Sequence, residues 1–365
     1  MSNFLQLHLL TSYPPACLNR DDLNRPKSAI MGGVPRLRIS SQSLKRAWRA
    51  SEQFEDALTG HLGTRTKLKG VKIFEKLVAA GIKEKAAREC AQAIAKQFGK
   101  LKSKKDNKPL NDLEIEQLAH FSPEEEGAID ALAEVLISEG RAPTEPELAL
   151  LRKQHTAADI ALFGRMLADN PSFNTEAACQ VAHAITVHRA AVEDDFFTAV
   201  DDLNDHEEDA GSAHMGEQGF GAGLFYQYVC IDCDRLRENL GGDPDLASRT
   251  IQALIEAAAT VAPTGKQNSF ASRACAYYVL AEKGSRQPRS LSLAFMKPVS
   301  EGDMLDSAVN ALTSMRDNID KVYYQNSENS ENKQYSLPSR SINALSGEGD
   351  FTKLKKWAAG VGDDA

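Results

Sequence analysis

Residues 36–49 read "RLRISSQSLKRAWR", and within these fourteen positions the chain changes its period. Arg36 and Arg38, two apart in an extended approach, share a side. Ser40 or Ser41 then offers a hydroxyl that can accept from an orphan N–H at a helix start. Beyond that cap Leu44, Ala47 and Trp48 fall on one helical stripe. Lys45 and Arg49 sit one turn apart on another, with Arg46 close to that outer side. The apolar stripe needs a sheet to lie on, so strand and helix belong to one layered α+β unit. The outer stripe is a different matter, because this stretch holds five basic residues and no acid while the whole chain carries −8.

Working outward, Leu5, Leu7 and Leu9 alternate with Gln6 and His8, which predicts a first strand. From Pro14 to Pro35 the expectation is loop, with Gly32-Gly33 allowing a bend or a close approach. Residues 59–181 read as a largely helical insertion, with one helix from Val71 towards Phe98 and others at 124–138 and 156–169. A polar break at 101–109 and a Pro-bearing linker at 141–146 divide it. Strands return at 182–188 and at "FYQYVCI" (225–231), which is aromatic and β-branched. Asp243-Pro244 caps a helix expected through Val261. Residues 290–295 read as a half-buried strand with Leu291, Leu293 and Phe295 on one face. A helix at 303–316, a low-complexity loop at 324–336 and a short helix at 351–359 complete the chain. The fold class is therefore α+β, a sheet interrupted by two insertions, and its simplest form is an RNA-recognition-like (ferredoxin-like) sheet.

Composition narrows the function. With 42% hydrophobic and 26% charged residues in 365 positions, the chain can bury a substantial core. Charge is segregated: residues 20–49 hold eight Lys/Arg against two acids, and residues 59–109 hold fourteen against four. Residues 193–209 hold nine Asp/Glu and no Lys or Arg. Several cations at spaced positions, with no hydrogen-bonding code for bases, suit a phosphate backbone; the alternative is a solvated basic surface helix. Nothing resembles a signal peptide or a membrane-spanning run, so a cytoplasmic protein without a membrane partner is expected. Six Cys do not make a disulfide scaffold in a chain of this size. Cys230 and Cys233 have a metal-like spacing without a second pair, and buried small hydrophobes are the default reading.

At this point a resemblance emerges. "CLNRDDLNRPKSAIMGG", "RLRISSQSLKRAWR", "AHAITVHRA", "FFTAVDDL" and "GSAHMG", in this order, resemble the backbone subunit of the type I-E CRISPR Cascade complex, the CasC family. The likeness extends over essentially the whole chain and is weakest in the helical insertion. It implies a right hand: an RNA-recognition-like palm at 1–58, 182–192 and 224–365, a helical fingers domain at 59–181 and an extended thumb loop at 193–223. It implies copies stacked along a CRISPR RNA, the thumb displacing one nucleotide at intervals so that a target DNA strand pairs in short segments. The implied partners are the guide, the target strand, further copies of the chain and the large, small, cap and RNA-processing subunits. A separate nuclease-helicase would do the cutting, and no cofactor or metal is implied.

By the same resemblance, Lys27, Lys45 and Arg49 fall at guide-backbone positions, and Arg20, Arg38 and Arg46 extend that set on charge grounds. Met166 falls at a wedging position of the fingers, Phe196 and Phe197 match paired aromatics of the thumb, and Met215 matches its tip. Phe196 and Met215 stand where a familiar relative has Trp and Leu; both replacements remain apolar and offer contact without a hydrogen-bond requirement. From the residues alone, two adjacent rings could equally anchor the loop to the palm. Lys266, beside Gly265 in "PTGKQNSF", is a further basic loop candidate for guide or target DNA; Lys67, Lys69, Lys72, Lys76 and the 102–108 lysines are candidates for holding target DNA, with a plain solubilising face as the alternative. The acids at 201–209 are expected to meet a basic surface of the next copy. No nucleophile elbow, zinc-protease motif or nucleotide loop occurs, so no catalytic residue is assigned. A metal-dependent ribonuclease built on Asp201-Asp202, and a generic RNA-binding or scaffold protein, are the competing readings.

Overall fold

The computed structural model describes residues 3–104, 108–199, 214–300, 302–324 and 337–361, without the side chains of 199, 214 and 215. The chain begins with strand β1 (Phe4–Ala16), a hairpin of β2 (Ser28–Met31) and β3 (Val34–Ile39), then helices α1 (Ser41–Arg49) and α2 (Glu52–Ala57). The insertion follows as β4 (Thr64–Thr66), α3 (Lys69–Ala79), α4 (Glu84–Ala95), β5 (Ala119–Phe121), α5 (Pro123–Glu139) and α6 (Ala158–Phe163). Strands β6 (Cys179–Val181), β7 (Ala184–Thr186), β8 (Glu193–Ala199) and β9 (His214–Asp232) lead to helices α7 (Cys233–Asn239), α8 (Pro244–Thr260) and α9 (Gln267–Phe270). The chain closes with β10 (Tyr278–Gly284), α10 (Met304–Tyr324), β11 (Ser339–Asn343) and α11 (Phe351–Ala358).

The main sheet runs β11-β10-β1-β9-β7-β3-β2, with β6 and β8 also paired to β9. Every strand pairing in it is antiparallel, and β1 is flanked by β10 and β9 over most of its length. Period-2 alternation sends Leu5, Leu7 and Leu9 into one core, shared with Trp48, Phe54, Val229, Ile231, Val279 and the apolar face of α8. The opposite face is covered as well. Leu10, Leu224, Tyr226, Leu280, Leu291, Phe295, Ala308 and Leu312 form a second core beneath α10. Gln6 and His8, the polar partners in the alternation, are consequently buried too.

The insertion has its own core, from Ile73, Phe74, Ala91, Ile94, Phe98, Phe121, Leu132 and Leu136, with Phe98 and Phe121 rings 4.5 Å apart. That core ends near Leu150; Ala158, Ala161, Leu162 and Cys179 pack into the main core instead.

Several local expectations change. Residues 28–39 form a hairpin, so its 28–35 part replaces the expected loop, because Gly32 and Gly33, at φ 60° and 79°, make a tight turn. The expected 71–98 helix is two helices broken at Gly81, φ 90°. Residues 292–295 form a 3₁₀ turn instead of a strand, so Leu291 and Phe295 are buried while Leu293 is 58% exposed. Helix α6 is shorter than its expected 156–169, and α10 is longer than its expected 303–316. The low-complexity 324–336 stretch lies outside the described residues after Tyr324.

Candidate nucleic-acid interface

Helix α1 is built as the sequence dictates. Ser40 Oγ accepts from Ser43 N at 3.3 Å, and Leu44, Ala47 and Trp48 are its buried residues. This seats α1 on the main core and turns Lys45, Arg46 and Arg49 towards a cleft of about 390 Å³ at the junction with the insertion. Gln42, Phe163, His120 and Met166 line the same cleft. Lys45 Nζ stands 5.6 Å from the centre of the Phe163 ring, and Arg46 is exposed with no bonded partner among the described residues.

Arg49 is committed elsewhere, so the basic stripe is not uniformly free as its spacing suggested. Its Nε donates to Asp159 Oδ2 at 2.5 Å and its Nη2 to Gly63 O at 3.1 Å. Asp159 is fully buried and also accepts from His120 Nε2 at 2.9 Å and Gly63 N at 2.8 Å. Burial works to raise the Asp159 carboxyl, but the His120, Gly63 and Arg49 donors outweigh it and hold the group below the ordinary aspartate value.

Met166 is held out by its neighbours. It is 76% exposed, whereas Arg165 and Leu167 on either side are 5% and 3% exposed. Arg165 Nη1 reaches the buried Glu125 carboxylate at 2.6 Å, and Arg165 pairs its backbone with Thr175. Leu167 N donates to Asn174 Oδ1 at 2.6 Å. With both flanks pinned, the Met166 side chain projects between the α1 cleft and a second, smaller cleft lined by Phe98, Gln117, Leu118 and Asp169.

The other candidates lie outside this cleft. Arg20 is exposed and donates from Nη1 to Asn24 Oδ1 at 3.1 Å. Lys27 N donates to Asn19 O at 2.8 Å, and Asn19 Oδ1 accepts from Ser40 N at 2.9 Å, tying this loop to the start of α1. Arg38 Nη1 donates to His183 Nδ1 at 2.7 Å; burial, then the Arg38 and Lys27 charges, push the His183 imidazole below its usual value. Arg36 adds no exposed charge beside Arg38. It shares a sheet face with Arg38, but the 292–295 turn covers it and leaves it wholly buried.

On the β8–β9 hairpin, Phe196 opposes Glu217 and Phe197 opposes Gly216. Adjacent strand residues point to opposite faces, so the two rings part company. Phe197 lies where a Cβ on Gly216 would be, and Phe196 projects with 66% exposure. Lys266, in the left-handed region at φ 52°, donates from Nζ to Gln218 Oε1 at 2.6 Å on β9. Arg25 and Asp194 form a further link, 2.9 Å, between the 17–27 loop and β8. The Met215 side chain and Asp201, Asp202, His206, Glu207, Glu208 and Asp209 lie outside the described residues.

Four of the insertion lysines are engaged by local acids. Lys69 pairs with Glu126, Lys76 with Asp130 and Glu134, Lys100 with Glu116 and Lys102 with Glu114. Sequence reasoning missed Arg65, His120, Asp159 and Phe163. One signal was there to read: Asp159 is a lone carboxylate in the apolar run "ADIALF", which points to a buried, paired acid.

Among the described residues no group of three or more His, Cys, Asp or Glu could hold a metal ion, and no helix is long and apolar enough to cross a membrane. All six cysteines are free; burial pushes the Cys230 and Cys233 thiols up to about 11. His188 is structural, its Nε2 accepting from Leu224 N at 3.1 Å.

Fold and cleft together define a class: an α+β protein whose two-sided antiparallel sheet carries a helical insertion, with a cation-lined cleft where the two meet. Residues 5–357 match the family described as CT1975-like protein, and this chain belongs to that family. It is similar to a solved chain named "CRISPR RNA-guided surveillance complex, pre-nicking", with 30% identity, 98% of this chain and 100% of that one covered, and a TM-score of 0.79. A second solved chain, named "CRISPR RNA-guided surveillance complex", shares the fold at 23% identity, with 98% and 99% coverage and a TM-score of 0.71. No curated protein matches the chain.

Proposed function

We propose that this chain is the non-catalytic, guide-binding backbone subunit of a Cascade-type CRISPR surveillance complex, working in the cytoplasm in antiviral defence. The observation that carries the reading is the cleft itself. Lys45 and Arg46 present uncommitted charge to it, and Met166 projects beside them between two pinned neighbours. Cations grip a phosphate backbone whatever the bases, and an apolar side chain contacts a base without reading it. A guide whose sequence differs from complex to complex needs both properties.

Family membership and the likeness to a 30% identical chain of an RNA-guided surveillance complex support the same reading. So does topology: the order β10-β1-β9-β7, with α1 and α8 in the crossovers, is what an RNA-recognition-like palm requires. In this reading the separately cored insertion is the fingers domain and the β8–β9 hairpin is the stem of the thumb. Copies stack along the guide beside the large, small, cap and RNA-processing subunits. Phe196, Phe197, Met215 and Met166 displace a nucleotide at intervals, target DNA pairs in the segments between, and a recruited nuclease-helicase cuts.

The test is co-expression with a CRISPR array and the other subunits, followed by sizing and RNA extraction. The particle should contain several copies of the chain on one guide, their number growing with spacer length. Lys45→Ala plus Arg46→Ala should lower the slope of log K against log salt by about 1.4 for single-stranded RNA, about 0.7 for each phosphate no longer neutralised. Recovery of an RNA-free monomer, together with an unchanged slope, would refute the proposal.

A further inference from the structure

The cleft has a second wall, formed by the two-stranded β4–β5 sheet of the insertion, and Arg65 stands on it. Five cationic side chains line the cleft: Lys45, Arg46, Arg49, Arg65 and Arg165. Arg49 is held by Asp159 and Arg165 by Glu125. The Arg65 side chain is exposed and has no ion-pair or hydrogen-bond partner among the described residues. Its charge is therefore as available as those of Lys45 and Arg46, but it arrives from the other side.

What places it there is a closed ring of hydrogen bonds. Gly63, two residues before Arg65, donates its N–H to Asp159 Oδ1 at 2.8 Å, and its carbonyl accepts from Arg49 Nη2 at 3.1 Å. Asp159 Oδ2 joins Arg49 Nε, 2.5 Å, to His120 Nε2, 2.9 Å, and His120 faces Arg65 in the β4–β5 register. The ring thus ties α1 and α6 to β5 and to the residue that leads into β4. Only glycine fits at 63, because a Cβ there would come within 2.7 Å of Phe121 O and 2.8 Å of His120 Nε2. Asp159 is the only carboxylate lining the cleft among the described residues, and its lone pairs are already engaged. It neutralises Arg49, so this arginine acts as a strut with little charge left to exchange for a phosphate's counterions.

We propose that Arg65 is a further contact for the phosphodiester backbone of the guide strand, gripping it from the insertion side, and that Asp159 and Arg49 are positioning residues that fix Arg65 in place. This rests on the guide-binding reading above and deepens it: a strand in the cleft is held between two walls, so its binding depends on how the insertion sits against the sheet.

The experiment titrates the full chain with a fluorescein-labelled, unstructured single-stranded RNA across a KCl series. Arg65→Ala should lower the salt slope by about 0.7 and weaken unrelated RNA sequences alike, while Arg65→Lys retains the slope. Asp159→Asn should weaken binding when Arg65 is present and add no further loss in the Arg65→Ala background; a purely structural role would add its loss in both. Should Asp159→Asn not fold, the Arg65→Ala and Arg65→Lys pair decides on its own, since Arg65 is a surface residue. An unchanged slope for Arg65→Ala, alongside a lowered one for Lys45→Ala plus Arg46→Ala, overturns this inference alone. Unchanged slopes in both overturn the guide-binding reading as well.

Discussion

Arg36 is a buried cation held by carbonyl oxygens. Its Nη2 donates to Phe295 O at 2.9 Å, its Nη1 to Thr186 O at 3.1 Å and its Nε to Met31 O at 3.3 Å. Burial pushes its pKa down from the usual arginine value. One planar fork therefore bolts together β3, the end of β7 and the 292–295 turn. Arg36→Met should destabilise the protein by about 2–4 kcal/mol, because three carbonyls lose their donor together. Arg36→Lys should recover little, since a single ammonium cannot span the fork. Urea denaturation of the purified chain measures both, and a loss under about 0.5 kcal/mol for Arg36→Met would mean that the fork is dispensable. The residue also marks the reach of sequence reasoning. The Ser40 cap and the Leu44, Ala47, Trp48 stripe were legible because their causes are local. Arg36 and Arg38 were placed on one side correctly, but the cover over Arg36 comes from a residue 259 positions away.

At the scale of elements, the β2–β3 hairpin shows what a glycine pair does. Gly32 and Gly33 both have positive φ, yet only Gly32 has a neighbour: a Cβ there would overlap the carbonyl oxygen of Met296. Gly33 has nothing within 4 Å. Gly33→Ala should cost about 1 kcal/mol, the strain of a left-handed alanine. Gly32→Ala adds steric overlap with backbone and should cost about 2–4 kcal/mol in total. Thermal denaturation of the two variants separates the terms, and equal losses would show that the hairpin tip moves freely off Met296. Gly32-Gly33 was legible as a bend and Arg36 and Arg38 as extended, but the polar, Pro26-bearing stretch before the turn hid β2. The 290–295 stretch was misread for the opposite reason. Its alternating apolar pattern fits a strand, whereas Leu291 and Phe295, four apart, are the pair that the second core takes up. Strands β10 and β11 went unread because "YVLAEKG" carries Glu282 and "SRSIN" is polar, and neither shows the alternation of a half-buried strand.

For the whole molecule, the decisive fact is that the sheet is buried on both faces, which places polar residues of β1, β9 and β10 in its interior. His8 is wholly buried, with Nδ1 2.9 Å from Tyr226 Oη and Nε2 3.2 Å from Glu282 Oε2. Tyr226 Oη also accepts from Leu291 N at 3.0 Å, so its proton goes to His8 Nδ1 and His8 Nε2–H donates to Glu282. Arg289 closes the network, bonding Glu282 at 2.8 Å and Asp320 of α10 at 3.1 Å. Burial lowers the His8 pKa from 6.5, with the Glu282 hydrogen bond only partly opposing it. Above 6.5 native and unfolded chains hold the same neutral ring, and stability is unaffected. Below 6.5 the unfolded chain takes up a proton that the native chain refuses, so stability falls as pH falls, by up to about 1.4 kcal/mol per pH unit for each such group. Glu282, held below 4.5 because His8 and Arg289 outweigh its burial, continues the loss at lower pH. Asp320, raised by burial, acts in the opposite sense from 3.8 upward and shallows the slope. Urea midpoints should therefore drop between pH 7.5 and 5.5, and His8→Gln should flatten that drop. His155 and His183, also lowered by burial first, keep part of it. An unflattened drop in His8→Gln would show that the ring accepts its proton in place. That outcome would bear on function, because the face it stabilises carries α10 and the 292–295 turn that covers Arg36, and through Arg36 the strand leading into α1 and its cations.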